Sequence, residues 1–185
     1  MKELLGDLAV GICSKTEEHV PEEIAKDALQ VAKTEECDSL LSIGGGSSHD
    51  LAKAISHLNE KRRKKKILKI IVTRFFFNSD FPKVPIVAVP TNYSGSEQTD
   101  IFGMTSKEGK MVHKSPDYTP HLVFYDVSYT LTLPLELTVS SGLNAMAHCV
   151  EATYAELTNP IIELLALDGI KHSEYLFSRL VFFET

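Results

Sequence analysis

Cysteine is scarce in this sequence. Cys13, Cys37 and Cys149 stand far apart, no two form a CxxC pair, and their number is odd. That count and spacing argue against a disulfide framework, and the expectation is three buried, reduced thiols in a cytoplasmic protein. No apolar stretch reaches the roughly 20 residues a membrane-spanning helix needs. The N-terminus lacks the charged start, apolar run and small-residue cleavage site of a signal peptide. Positive charge is not in excess either: 19 Lys and Arg face 25 Asp and Glu, a formal net charge of -6. Nucleic acid is therefore not expected as a partner, because binding phosphates needs a basic face. There are no internal repeats. One local exception is the basic run Lys61-Arg62-Arg63-Lys64-Lys65-Lys66. It reads either as a nuclear-import or nucleic-acid patch or as part of a solvated, atypical insertion over 59–82, and the second reading is preferred.

The residues that are present suffice for a packed core, since 43% are hydrophobic. Ala9 to Cys13 and Ser39 to Ile43 are short apolar runs that predict buried strands. Between them, Pro21 to Lys33 carries Ile24, Ala28, Val31 and Ala32 near helical spacing, with Pro21 suited to a first turn. Asp50 to Leu58 predicts a second helix, and Pro85 to Val89 a further strand. Thr91 to Gln98 is a polar loop. Thr99 to Met104 and Lys110 to Lys114 flank a turn at Glu108-Gly109 and predict a hairpin. His121 to Tyr125 predicts another strand, and from Pro134 onward the pattern is helical. Strand and helix in alternation mean a parallel sheet covered by helices, an α/β class, followed by the start of an all-helical domain. The expected boundary divides 1–133 from 134–185. A helical stretch as short as the second part cannot bury its own faces. In Phe177 to Thr185 apolar residues crowd without clear amphipathic spacing.

Gly44-Gly45-Gly46-Ser47 sits between a predicted strand and a predicted helix. Glycines there let a backbone approach a pyrophosphate, and the helix start supplies free N–H groups and a positive dipole end. The spacing is not G-x-G-x-x-G, so a plain turn is an equal reading of the glycines alone. Asp50 and Lys53 fall on the first turns of the helix. By themselves they are a favourable charge near a helix N-terminus and a solvent-facing lysine.

The stretch SIGGGSSHDLAKAIS resembles the G-G-G-S-x-x-D-x-A-K signature of the iron-containing alcohol dehydrogenases. Pro90-Thr91-Asn92-Tyr93-Ser94-Gly95-Ser96-Glu97 is similar to that family's P-T-T-x-x-G-S-E, and Tyr93 matches the version found in its maleylacetate reductase branch. Tyr125-Asp126 with Leu131-Thr132-Leu133-Pro134 resembles the family's approach to its helical domain. Ser141-Gly142-Leu143-Asn144-Ala145-Met146-Ala147-His148 resembles the S-G-M-N-A-I-A-H of the same branch. The resemblance implies a dehydroquinate synthase-like arrangement: a dinucleotide-binding α/β domain, a helical domain, and a cleft between them. It implies NAD(P)H as cofactor. Gly44, Gly45, Gly46 and Ser47 would bind the pyrophosphate, with Asp50 part of the same signature. Thr91, Asn92, Ser96 and Thr99 would line the pocket, and Lys110 occupies the place of a family lysine that contacts the cofactor. Asn92 stands where the family usually has threonine.

Asn144 and His148 are four residues apart, one face of a helix. Alone, His148 reads as a hydrogen-bonded interior histidine. Metal-dependent relatives have Asp and His at these two positions, so neutral Asn144 weakens a divalent site and leaves His148 as its sole imidazole. The branch with asparagine works without metal, so a metal is not expected to be required. Iron or zinc belongs to the alternative reading, a metal-dependent alcohol dehydrogenase. In the preferred reading Asn144 and His148 are catalytic, and His148 donates a proton to a reduced carbonyl. Glu151, one turn on, is either its orienting partner or an exposed helix glutamate. His49, His57, His113 and His121 show no partner pattern and read as structural or surface. The substrate would be a small oxo-acid, maleylacetate reduced to 3-oxoadipate in aromatic-compound catabolism, and full-length relatives imply a homodimer. Family members are about twice as long, so the chain is expected to be incomplete. A non-catalytic nucleotide-binding remnant or a mis-spliced gene product is the remaining alternative.

Overall fold

The computed structural model describes residues 5–59 and 83–182. The basic run at 61–66 and almost all of the expected insertion lie outside the described residues. The chain forms two compact units, one within Met1–Pro90 and Ser96–Tyr125, the other within Thr91–Gly95 and Asp126–Thr185.

In the first unit, helix α1 spans Glu22–Thr34 with Pro21 at its N-cap. Glu22 and Glu23 in the first turn and Lys33 in the last both complement the helix dipole. Its Ala25, Ala28 and Leu29 recur at helical spacing and are buried. Strand β1, Leu40–Gly44, leads into α2, Gly46–Leu58, and then to β2, Ile86–Pro90. A hairpin of β3, Ile101–Ser106, and β4, Gly109–Lys114, precedes the short β5, Leu122–Val123. β1, β2 and β5 form a parallel sheet in the order β1-β2-β5. Register runs from Leu40 opposite Ile86 to Gly44 opposite Pro90, so the sheet's edge carries the glycine turn.

Helix α2 packs on α1 and β3 as well as on β1 and β2. Being flanked by elements from both sides, it has every residue from Leu51 to Ser56 buried, polar ones included. The core joins Leu51, Ala54 and Ile55 of α2 to Val20, Ala25, Ala28, Leu29, Phe102, Met104 and Tyr118. Phe102 stacks on the His113 ring, and His57 lies edge-on to Tyr118, whose hydroxyl is 2.6 Å from its Nδ1.

The second unit contains α3, Leu135–Tyr154, and α4, Pro160–Phe182. The Phe177 ring comes within 2.9 Å of where a Cβ on Gly142 would stand, and Cys149 Sγ within 2.7 Å of where one on Gly169 would. These pairings make the helices antiparallel and closely packed. No helix among the described residues is long and apolar enough to cross a membrane.

Three expectations need correction. Ala9–Cys13 is not a strand: it has no regular structure, and Val10 and Ile12 are exposed. An apolar run becomes a strand only where a neighbour satisfies its N–H and C=O groups, and among the described residues β1 pairs with β2 alone. The segment His121–Tyr125 keeps only two strand residues. Pro90 ends β2 and has no N–H for a further rung. The thiols are not buried: Cys13 is exposed, and Cys37 and Cys149 are half-buried.

Candidate functional site

The glycine turn joins β1 to α2 in the first unit. Gly44 takes φ +150°, a conformation L side chains rarely adopt, and a Cβ there would collide with the side chain of Ser48. Gly45 is the N-cap of α2 and is extended, with no side chain capping the helix. The helix therefore starts at Gly46 rather than at Asp50, within the turn itself. The N–H groups of Gly46 and Ser47 have no intrahelical acceptor, as for any helix start. The first turn also carries no acidic residue. An uncapped, glycine-opened helix N-terminus of this kind fits an anionic diphosphate.

One turn further on, Lys53 does not face solvent: it is 0% exposed. Its Nζ donates to Ser96 O at 2.6 Å, Thr99 Oγ1 at 2.9 Å and Ile101 O at 2.9 Å. Ser96 Oγ lies 3.2 Å away and Asp50 Oδ1 3.8 Å. Burial pushes the Lys53 ammonium below its ordinary pKa, and the Asp50 and Glu97 carboxylates pull the other way. Ser96 Oγ in turn donates to Asp50 Oδ1. Asp50, Ser96 and Thr99 are thus gathered around Lys53, fixing the segment after β2 onto α2.

Glu97 is buried as well, and its Oε1 accepts from the Tyr125 hydroxyl at 2.9 Å. His49, fully buried in the first turn of α2, places Nδ1 2.8 Å from Ser42 Oγ. Neither His49 Nε2 nor Glu97 Oε2 has a partner among the described residues. His121 is structural too, its Nδ1 accepting from the Ile86 N–H. Lys110 stands on β4, its Nζ 3.2 Å from His19 Nδ1.

Thr91 and Asn92 belong to the second unit. Asn92 Oδ1 accepts from the Ser94 N–H at 3.2 Å, and Ser94 O accepts from Asn144 Nδ2 at 3.4 Å. The Asn144 amide is thereby tied to the loop that carries Asn92. His148, on the same helix, is largely exposed and has Nδ1 3.4 Å from Glu151 Oε2. Among the described residues no three His, Cys, Asp or Glu side chains are grouped to hold a metal ion. A neutral amide engaged by a carbonyl and an exposed imidazole do not fit a divalent ion.

Sequence reasoning missed the burial of Lys53 and Glu97 and the partnership of His19 with Lys110. The Lys53 acceptors lie 43 to 48 residues away. His19 is 91 residues from Lys110, and the local signal it had was a histidine two residues before a helix-opening proline.

The iron-containing alcohol dehydrogenase family model matches residues 1–127. A maleylacetate reductase from Burkholderia cepacia is 38% identical over 168 residues, which is 91% of this chain and 41% of that protein. The crystal structure of maleylacetate reductase from Agrobacterium tumefaciens superposes with a TM-score of 0.72 at 35% identity, over 89% of this chain and 40% of that one. The NADH-dependent butanol dehydrogenase A of Thermotoga maritima gives 0.72 at 25% identity, over 91% and 42%. The chain thus spans about two fifths of the length of the relatives it matches. The family match over residues 1–127, with 38% identity to a relative over nine tenths of the chain, shows that the chain belongs to the iron-containing alcohol dehydrogenase family.

Proposed function

We propose that this chain carries the dinucleotide-binding part of an NAD(P)H-dependent oxidoreductase of the maleylacetate reductase type. The observation that carries the reading is the uncapped start of α2, opened by Gly44, Gly45 and Gly46 at the end of a parallel strand. There the backbone N–H groups of Gly46 and Ser47 would hold the diphosphate. Asp50, Ser96 and Thr99, locked around Lys53, would fix one wall of the pocket, while Thr91, Asn92 and Lys110 would contact the cofactor. The nicotinamide, when bound, supplies the hydride. The substrate class is a small oxo-acid, with maleylacetate reduced to 3-oxoadipate as the specific reaction. His148 would supply the proton that completes saturation of the carbon–carbon double bond, the keto group being retained in 3-oxoadipate, and Glu151 lies within reach of its ring. No step is assigned to a metal, because the donors described above do not fit one. Pairing into a homodimer in a cytoplasmic setting completes the proposal.

The test is fluorescence titration of the purified chain with NADH and NADPH, with maleylacetate turnover assayed in parallel and repeated after chelation. A saturable change in the emission of at least one reduced nucleotide is expected, and chelation should change neither binding nor any turnover. A folded sample that binds neither nucleotide would sink the reading. Activity abolished by chelation and restored by iron or zinc would move it to a metal-dependent alcohol dehydrogenase.

A further inference from the structure

We infer that His19 is a positioning residue for Lys110, its imidazole being the acceptor that aims the lysine ammonium. The inference rests on the proposed contact of Lys110 with the cofactor. His19 has φ 62° and Val20 φ 41°, two consecutive non-glycine residues in the left-handed region. For a β-branched residue that conformation is a genuine outlier, and it persists only where the surroundings impose it. They do so here from one strand. Thr105 of β3 donates its N–H to Val20 O at 3.1 Å and its hydroxyl to His19 O at 3.1 Å. Pro21 forms a bridge to the same Thr105, and the Val20 side chain is buried in the core.

The strained turn leaves the His19 side chain exposed, beside β4, where Nδ1 meets Lys110 Nζ at 3.2 Å. An ammonium has no lone pair, so Lys110 donates and the imidazole accepts in its neutral form. The lysine stem is directed as well. It lies across Gly103, its diagonal cross-strand neighbour two residues along β3 from its partner Thr105, where a Cβ would stand 2.9 Å from Lys110 Cε. Any larger residue at position 103 would lift the stem off the hairpin. A glycine that makes room, a strained turn that presents an acceptor, and a threonine that clamps the turn all converge on one flexible cation. Restricting that cation before the ligand arrives lowers the entropy lost on binding.

The test compares wild type, His19→Gly, Lys110→Met and the double variant by NADH and NADPH titration, with thermal midpoints alongside. His19→Gly removes both the imidazole and the backbone strain. A merely structural His19 then leaves affinity unchanged. Positioning predicts roughly three- to tenfold weaker binding with an unchanged or raised midpoint. It also predicts no further loss when His19→Gly is added to Lys110→Met. His19→Asn, which tolerates positive φ and keeps an acceptor, should recover part of the affinity. Equal affinity in wild type and His19→Gly, or additive losses in the double variant, overturns the inference. So does wild-type affinity in Lys110→Met, although the glycine turn would then still bind. A wild type that binds neither nucleotide removes the cofactor reading and this inference with it. A second readout needs no His19 variant: in histidine-labelled protein the His19 Nδ1 resonance should move on Lys110→Met, and an unmoved signal counts equally against the pairing.

Discussion

At the scale of single residues, burial decides which protonation states the fold tolerates. His49 is fully buried, with one ring nitrogen on Ser42 and the other without a partner among the described residues. Burial holds its pKa below the ordinary 6.5, against the opposing pull of Glu97. His121 is lowered for the same reason. Below pH about 6.5 the unfolded chain therefore binds protons that the folded chain refuses. The stabilising contribution is complete above that pH and is lost as pH falls toward and through the depressed folded values. The urea midpoint should be level from pH 8 to about 7 and decline below about 6.5. His49→Gln should reduce the slope and leave the part owed to His121. A profile as steep in His49→Gln as in wild type would show that His49 is not one of the titrating groups.

At the scale of elements, Lys53 binds α2 to the segment after β2, and the strength of that join can be measured. Lys53→Met would take the charged donor from Ser96 O and Ile101 O, leaving them to Thr99 alone, and would leave Asp50 without its cation. Losing a charged hydrogen-bond donor from such a cluster costs about 1.5–3 kcal/mol. The midpoint of urea unfolding should fall accordingly; a wild-type midpoint would mean water reaches those acceptors freely. The elements that Lys53 joins were legible in the sequence because their signals are local. SLLSI followed by glycines gives β1, and the apolar spacing after Asp50 gives most of α2. The role of Lys53 was not legible, since its ligands come from a loop whose path is set by the sheet. Ala9–Cys13 failed for a related reason, as an apolar run has no strand identity until a neighbour offers hydrogen bonds. In the candidate site, the glycine turn could be read from its residues. The ties of Asp50 and Ser96 to Lys53, and of Asn144 to Ser94, depend on tertiary placement.

At the scale of the whole molecule, the two units bury their apolar surface to very different degrees. The first has a continuous core spanning α1, α2 and the hairpin. In the second, Ser141 and Ala166 are the buried residues among those described, while Leu164 and Leu165 are each 68% exposed and Leu157 89%. Two antiparallel helices have too little surface between them to cover apolar residues on several faces. Gly142 and Gly169 let the helices approach closely, but that contact uses only one face of each. An exposed apolar area of this kind should bind a hydrophobic dye such as anilinonaphthalene sulfonate, although the chain is folded. The signal should come from the helical hairpin. Replacing Leu164 and Leu165 together by glutamate should lower dye emission by about half or more while far-ultraviolet circular dichroism stays unchanged, because exposed helix positions accept glutamate at little cost. Dye emission that survives the double substitution but disappears when Val10 and Ile12 are replaced would place the apolar surface on the first unit instead. That result would contradict the exposure of the hairpin leucines.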